Sequence, residues 1–183
     1  MLLILVTRAY SYLICPGTGL RSRTSNEEII IFEHTEMGTG GLVLNCPTPL
    51  KIGNLPIPRF QSFKELPLML GCGMAAGEND DSSTIPLGEV SPWFWLHDLD
   101  DIPGSYEFQG AAGPLYMGGN IEEATKRLQE DGIAPIGHFK FFRKYRSWQA
   151  GELEAELKNG EWEVTAQDPA KALKPVWPSI RLS

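Results

Sequence analysis

The stretch FEHTEMGTGGLVLN, residues 32–45, sets Gly38, Gly40 and Gly41 close behind a histidine and runs straight into an apolar segment. Residues 29–32 (IIIF) and 42–45 (LVLN) on either side are β-branched or apolar runs of strand type. A strand–turn–strand hairpin over 29–45 is the economical reading, with the glycines supplying positive φ angles. A phosphate loop needs G-x-x-x-x-G-K-[ST] leading into a helix, but no lysine follows here and the exit is strand-like. The dinucleotide pattern G-x-G-x-x-G also fails, because Leu42 and Val43 follow the glycine pair.

Working outward, the 183 residues with 42% hydrophobic content suffice for one buried core. Nineteen glycines and fourteen prolines point to a loop-rich, strand-containing chain rather than a helical bundle. A net charge of −7 argues against nucleic acid as a partner, since phosphate contacts need clustered Lys and Arg. Cys15, Cys46 and Cys72 are odd in number and lack C-x-x-C spacing, so neither a disulfide framework nor a zinc finger is expected. A reducing compartment suits them. Residues 1–11 are read as an N-terminal extension or a targeting or linker remnant. Their apolar run is broken at Arg8 and falls short of the roughly 20 residues that span a bilayer. A single domain over 12–183 follows.

Along that domain, 77–84 (GENDDSST) reads as an exposed loop, and 91–105 as a strand edge entering a turn. Asn120 caps a helix over 121–131, with Ile121, Ala124 and Leu128 on one face and Gly132 past its end. Ser147 is expected to cap a second helix over 148–159, with Ala150, Leu153 and Leu157 buried and Gly160 as the stop. Strand-like pieces at 113–119, 138–145 and 161–166 surround the helices. The class is α+β: one domain, a mixed sheet with a glycine-rich hairpin, and two to three helices.

Two blocks now carry a resemblance. Glu33-His34, then Gly38, Gly41, Asn45 and Pro47 in order, resembles the signature of the AlgH/YqgE family of uncharacterised proteins. Tyr145, Trp148, Gly151, Leu153 and Trp162 match that family's second block, and the linking elements look like those of plant and algal plastid members. The segment YLICP at 12–16 lies where the family's first strand falls, and GTGLRSRTSN replaces a D-P-x-F piece before the second. Lys144 stands where the family has glycine before the tyrosine, Glu152 replaces a glutamine, and the G-C-G at 71–73 replaces G-G-P. The resemblance implies the α+β fold and a transcriptional-regulator label, but no established reaction.

Candidate chemistry is sparse. His34, His97 and His138 lie in separate elements without metal-ligand spacing, although Glu33 and Asp98 could add oxygens; no metal and no cofactor is expected. A Cys46–His34 nucleophile pair across the hairpin lacks a third group to orient the histidine. Glu152 and Glu156 lie four apart and read as a solvated helix face. Phe142, Tyr145, Trp148 and Trp162 read as packing residues, with partial exposure to partner the polar groups of the last three. The basic run KFFRKYR differs: Lys140, Arg143, Lys144 and Arg146 place four of sixteen cations within seven residues. Strand alternation leaves neither face apolar, which suggests a charged edge strand and a docking contact. The sequence therefore favours a non-catalytic protein-interaction module. It would be an accessory subunit on a larger plastid or photosynthetic assembly at a membrane surface, resident in chloroplast stroma or otherwise cytoplasm. A transcriptional regulator and an enzyme using His34 are the alternatives.

Overall fold

The computed structural model describes residues 14–73 and 93–178. The expected loop at 77–84 and the extension at 1–11 lie outside the described residues. Strand-forming sequence organises into two sheets. The first contains β1 (Thr18–Ser22), β2 (Glu28–Thr35), β3 (Gly38–Val43), β10 (Arg146–Gln149) and β11 (Trp162–Ala166), in the order β10-β3-β2-β1-β11. The second contains β4 (Pro47–Lys51), β5 (Pro67–Leu70), β6 (Trp93–His97), β7 (Ser105–Glu107), β8 (Tyr116–Gly118) and β9 (Phe139–Arg143), in the order β4-β5-β9-β6-β8-β7. The β5–β9 pair is parallel and the remaining pairs are antiparallel, so the α+β class with mixed pairing holds. Among the described residues three α-helices accompany them: α1 (Ile121–Glu130), α2 (Glu152–Lys158) and α3 (Pro169–Leu173).

Alternation along the strands stacks these elements in layers. Ile30 and Leu42 of the first sheet meet Met69, Leu96 and Phe142 of the second. Ile29, Ile31 and Val43 point the other way and pack with Leu153 and Leu157 of α2. Phe139 and Phe141 face outward from the second sheet, against Phe60, Phe63 and the Ile121, Ala124 and Leu128 stripe of α1. Asn120 caps α1 as expected, its Oδ1 accepting the Glu122 and Glu123 backbone N–H groups.

Several expectations are corrected. The hairpin is present, but only Gly38 among its glycines has positive φ. Gly40 and Gly41 are ordinary strand residues, required because a Cβ would lie 2.6 Å from the Phe32 ring and 2.8 Å from Ile29, respectively. The first strand among the described residues is Thr18–Ser22, inside the segment that replaces the family's D-P-x-F piece; residues 14–16 of the expected strand are not in strand, and residues 12 and 13 lie outside the described residues. Helix α2 starts at Glu152, not at 148, and Ser147 caps nothing. Residues 146–149 pair with β3, which buries Trp148 and leaves Ala150 outside, and Gly151 at φ 77° then turns the chain into the helix.

The largest correction concerns the basic run. Strand β9 is interior, flanked by β5 and β6, and β6 is interior too, so neither is an edge. Lys140 is 3% and Arg143 5% exposed. Lys140 lies between the sheets, donating to the Leu44 carbonyl at 3.1 Å, while Arg143 lies over the Trp93 ring at 4.7 Å. Lys144, at φ 59°, ends the strand and carries the chain across to the first sheet, so the alternation that grouped it with Lys140 stops there. The four cations therefore do not share one surface.

Candidate functional site

A β-bulge in β2 organises the site. Ile31 pairs with Gly41 and Glu33 with Gly40, which leaves Phe32 as the extra residue. Bulges re-aim side chains, and this one places Phe32 and Glu33 on the same side of the sheet. Phe32 fills the space that Gly40 leaves empty. Its ring meets Phe94 and Tyr145 at 5.5 Å each, and those two are also 5.5 Å apart, forming a triad where the chain crosses between sheets. Tyr145 keeps 41% of its surface exposed because the left-handed Lys144 sets it at that corner.

Beyond the triad lies an open groove of about 250 Å³. Glu33 and Thr35 from β2 form one bank and Ser147 and Gln149 from β10 the other, with Gly38 and Gly40 of β3 between them. Tyr145 closes one end and Met37, 86% exposed in the hairpin turn, stands at the other. Because β3 contributes no side chain between the two banks, the trough is two strand spacings wide, about 9–10 Å. Among the described residues the Glu33 side chain makes no hydrogen bond or ion pair, and its exposed carboxylate stands at the groove.

The adjacent motif histidine goes elsewhere. His34 is on the opposite face, its Nδ1 2.8 Å from the Thr39 hydroxyl and its Nε2 3.6 Å from a Glu154 carboxylate oxygen on α2. On that face Trp148 and Trp162 both donate their indole N–H to Glu156, at 2.8 and 2.6 Å. Arg146 lies over both rings, at 5.2 and 5.0 Å, and pairs with Glu27 at 2.9 Å. Glu156 is thus a clamp between helix and sheet, not the solvated carboxylate its spacing from Glu152 suggests. Glu152 instead accepts the Gln149 backbone N–H. Asn45 accepts the Glu28 N–H at 3.0 Å, Pro47 opens β4, and Leu153 is buried. Of the family-motif positions, Glu33 and Tyr145 face the groove with Gly38; the others build the frame behind it.

His97, His138 and Cys46 are not among the residues lining the groove. His97 is buried between the rings of Tyr116 and Phe139, with its nitrogens 3.1 and 3.0 Å from the Leu99 and Gly118 carbonyls. Burial pulls its pKa below the ordinary value, and the two carbonyls partly offset that. His138 pairs with Asp98 at 2.9 Å on the surface. Cys46 lies past the far end of the hairpin from His34, since Thr39 to Val43 alone spans roughly 13 Å at about 3.3 Å per residue. Burial raises its thiol pKa, with Cys72 and Glu27 adding to the effect, so the thiolate is disfavoured. The imagined pair is not assembled. Among the described residues no cluster of three or more His, Cys, Asp or Glu is placed to hold a metal ion. Thr35 and Gln149 were not singled out from the sequence, and Ser147 was read only as a helix cap. The signal for Ser147 and Gln149 is the alternation Ser147-Trp148-Gln149, which shows once 146–149 is read as strand.

Comparison with known proteins places these features. The family model described as DUF179, AlgH-like, matches residues 21–179. A UPF0301 protein of Parabacteroides distasonis is 33% identical over 141 residues, covering 75% of this chain and 61% of its own length. One from Bacteroides fragilis is 28% identical over 140 residues, covering 76% and 62%. The chain thus spans about three fifths of the length of these relatives. A crystal structure of a Corynebacterium diphtheriae protein covers 86% of this chain and 78% of its own, with a TM-score of 0.62 at 21% identity. The solution structure of the AlgH protein from Pseudomonas aeruginosa covers 88% and 82%, with a TM-score of 0.52 at 22% identity. At these identities the two structures speak for the fold alone. With two strand layers arranged as described and the family model matching 21–179, the chain belongs to the AlgH-like family.

Proposed function

We propose that this protein is a non-catalytic protein-interaction module, acting as an accessory subunit docked on a larger assembly, and that the groove between β2 and β10 is its contact. The observation that carries this reading is the groove itself. A bulge, a side-chain-free central strand and a left-handed corner residue combine to hold an exposed tyrosine and an unpaired carboxylate around open space. Interfaces favour such a pairing of an aromatic anchor with a polar rim. Of the basic run, Lys144 is exposed next to Tyr145, and Arg146 pairs with Glu27 and lies over the two indoles. No helix among the described residues is long and apolar enough to cross a membrane. The relatives named above are bacterial, and the plastid compartment rests on the sequence resemblance alone.

The regulator reading finds less support. Strands separate the three helices, so among the described residues no two consecutive helices form a helix-turn-helix. The test is affinity enrichment from native extract with the wild-type chain, Ser147→Arg to block the groove, and Glu163→Arg on the far strand β11. Each enriched protein is then rebound in purified form. A partner that survives Glu163→Arg and is lost with Ser147→Arg supports the groove. Identical partner sets for all three proteins refute it.

A further inference from the structure

We infer that the groove selects a lysine or arginine side chain presented by an extended segment of its partner, an inference that rests on the groove being the interaction site. The shape comes first. Side chains on β2 and β10 stand along the two banks, and the strand between them offers only Gly38 and Gly40 on this face. A long aliphatic stem can lie along that strip without meeting a Cβ, whereas a branched or bulky side chain would strike the banks. Lys and Arg bury such stems while keeping a polar head free.

The charge decides the head group. The Glu33 side chain stands in the groove with no hydrogen bond or ion pair among the described residues, and Glu36 follows in the hairpin turn. The exposed Tyr145 ring lies at the same end of the groove as Glu33, since Glu33 is level with Gly40 and Phe32 touches Tyr145. A cation there gains a carboxylate and an aromatic face together. Thr35, Ser147 and Gln149 supply hydroxyl and amide partners for remaining N–H groups. An anionic head would meet Glu33 at close range, and among the described residues lining the groove there is no Lys or Arg to offset it. The −7 chain also steers positive segments toward it.

An extended main chain fits the neighbouring edge. Strand β10 is the outer strand of its sheet, so among the described residues no strand pairs with its far side. A segment running alongside can hydrogen-bond to β10 while its alternate side chains reach over the groove. The occupant is therefore polypeptide rather than a free small cation.

The 183-residue chain, labelled with ¹⁵N, is titrated with acetyl-Val-Arg-Val-amide, its glutamate and norleucine counterparts, and arginine amide alone. Expected are saturable shifts of the Gly38, Gly40, Ser147 and Gln149 amides with the arginine peptide, about fivefold tighter than norleucine and weakened by salt. Glu33→Gln, whose exposed side chain holds nothing in the fold, should remove that preference and leave the remaining spectrum unchanged. Equal affinity for arginine and norleucine peptides overturns the charge selection and leaves the groove as a docking site. Equal affinity for arginine amide and the arginine peptide overturns the polypeptide occupant. No shift at these amides with any peptide overturns both this inference and the groove reading.

Discussion

Lys140 is the most exacting test of the layered architecture, because a primary amine is buried between two sheets where strand alternation puts Phe142 beside it. Burial drives its pKa from 10.5 down to about 7, with Glu28 pulling weakly the other way. The folded value lies below the unfolded one, so between about pH 7 and 10.5 the unfolded chain holds a proton that the folded chain has released. Stability then rises with pH across that window, at about 1.4 kcal/mol per pH unit, and is flat below it. The full window is worth about 5 kcal/mol, an upper bound because water entry and sheet relaxation soften the burial of charge. Lys140→Met keeps the volume and deletes the titration. It also deprives the Leu44 carbonyl of its donor, a pH-independent loss of about 1–3 kcal/mol. Urea unfolding of both proteins from pH 6.5 to 10 gives the difference directly, and groups common to both, such as Tyr116 and Cys46, cancel. Relative to the variant, the wild type should gain several kcal/mol as pH rises. A difference that stays constant within about 0.5 kcal/mol would falsify the placement of the Lys140 amine between the sheets.

Three further substitutions probe the frame. Glu156→Ala removes the acceptor of two indole N–H groups and should lower stability by about 2–4 kcal/mol in urea melts, while Glu156→Gln, which keeps an amide oxygen, should recover part of the loss. Lys144→Gly relieves the left-handed backbone at φ 59° and should raise stability by roughly 1 kcal/mol; an unchanged or lower midpoint would count against that conformation. Gly40→Ala sets a methyl 2.6 Å from Phe32 and should lower stability by about 1–3 kcal/mol, with partial rescue by Phe32→Leu if the ring is the obstacle.

What the sequence made legible was local. The Asn120 cap, the glycine stops Gly132 and Gly160 after α1 and α2, and the apolar strands of the hairpin depend on neighbours a few residues apart, and all are present. What it concealed depends on the partner sheet. Nothing within residues 138–146 distinguishes a charged edge strand from an interior strand whose lysine finds a carbonyl 96 residues away in sequence. Ser147 looked like a cap because Ser, Trp and Gln precede a helical pattern; pairing with β3 overrode that local preference. Glu156 and the two tryptophans were all visible, yet their joining required β10, α2 and β11 to be arranged first.

The same logic explains why the Glu33-His34 pair misled as chemistry. Two adjacent polar residues at a strand end look like one site, but adjacent strand residues ordinarily face opposite sides of a sheet. Without the bulge, Phe32 would oppose Gly40 and Glu33 would turn toward α2, beside Glu154, where like charges repel. The extra residue moves the whole register by one. His34 goes to the helix side, where Thr39 and Glu154 hold it, and Glu33 goes to the groove, where no described side chain answers it. Gly40 makes the bulge possible, since any larger residue there would collide with Phe32. The glycines of 38–41 thus act through the backbone. They set the register that sends one carboxylate outward.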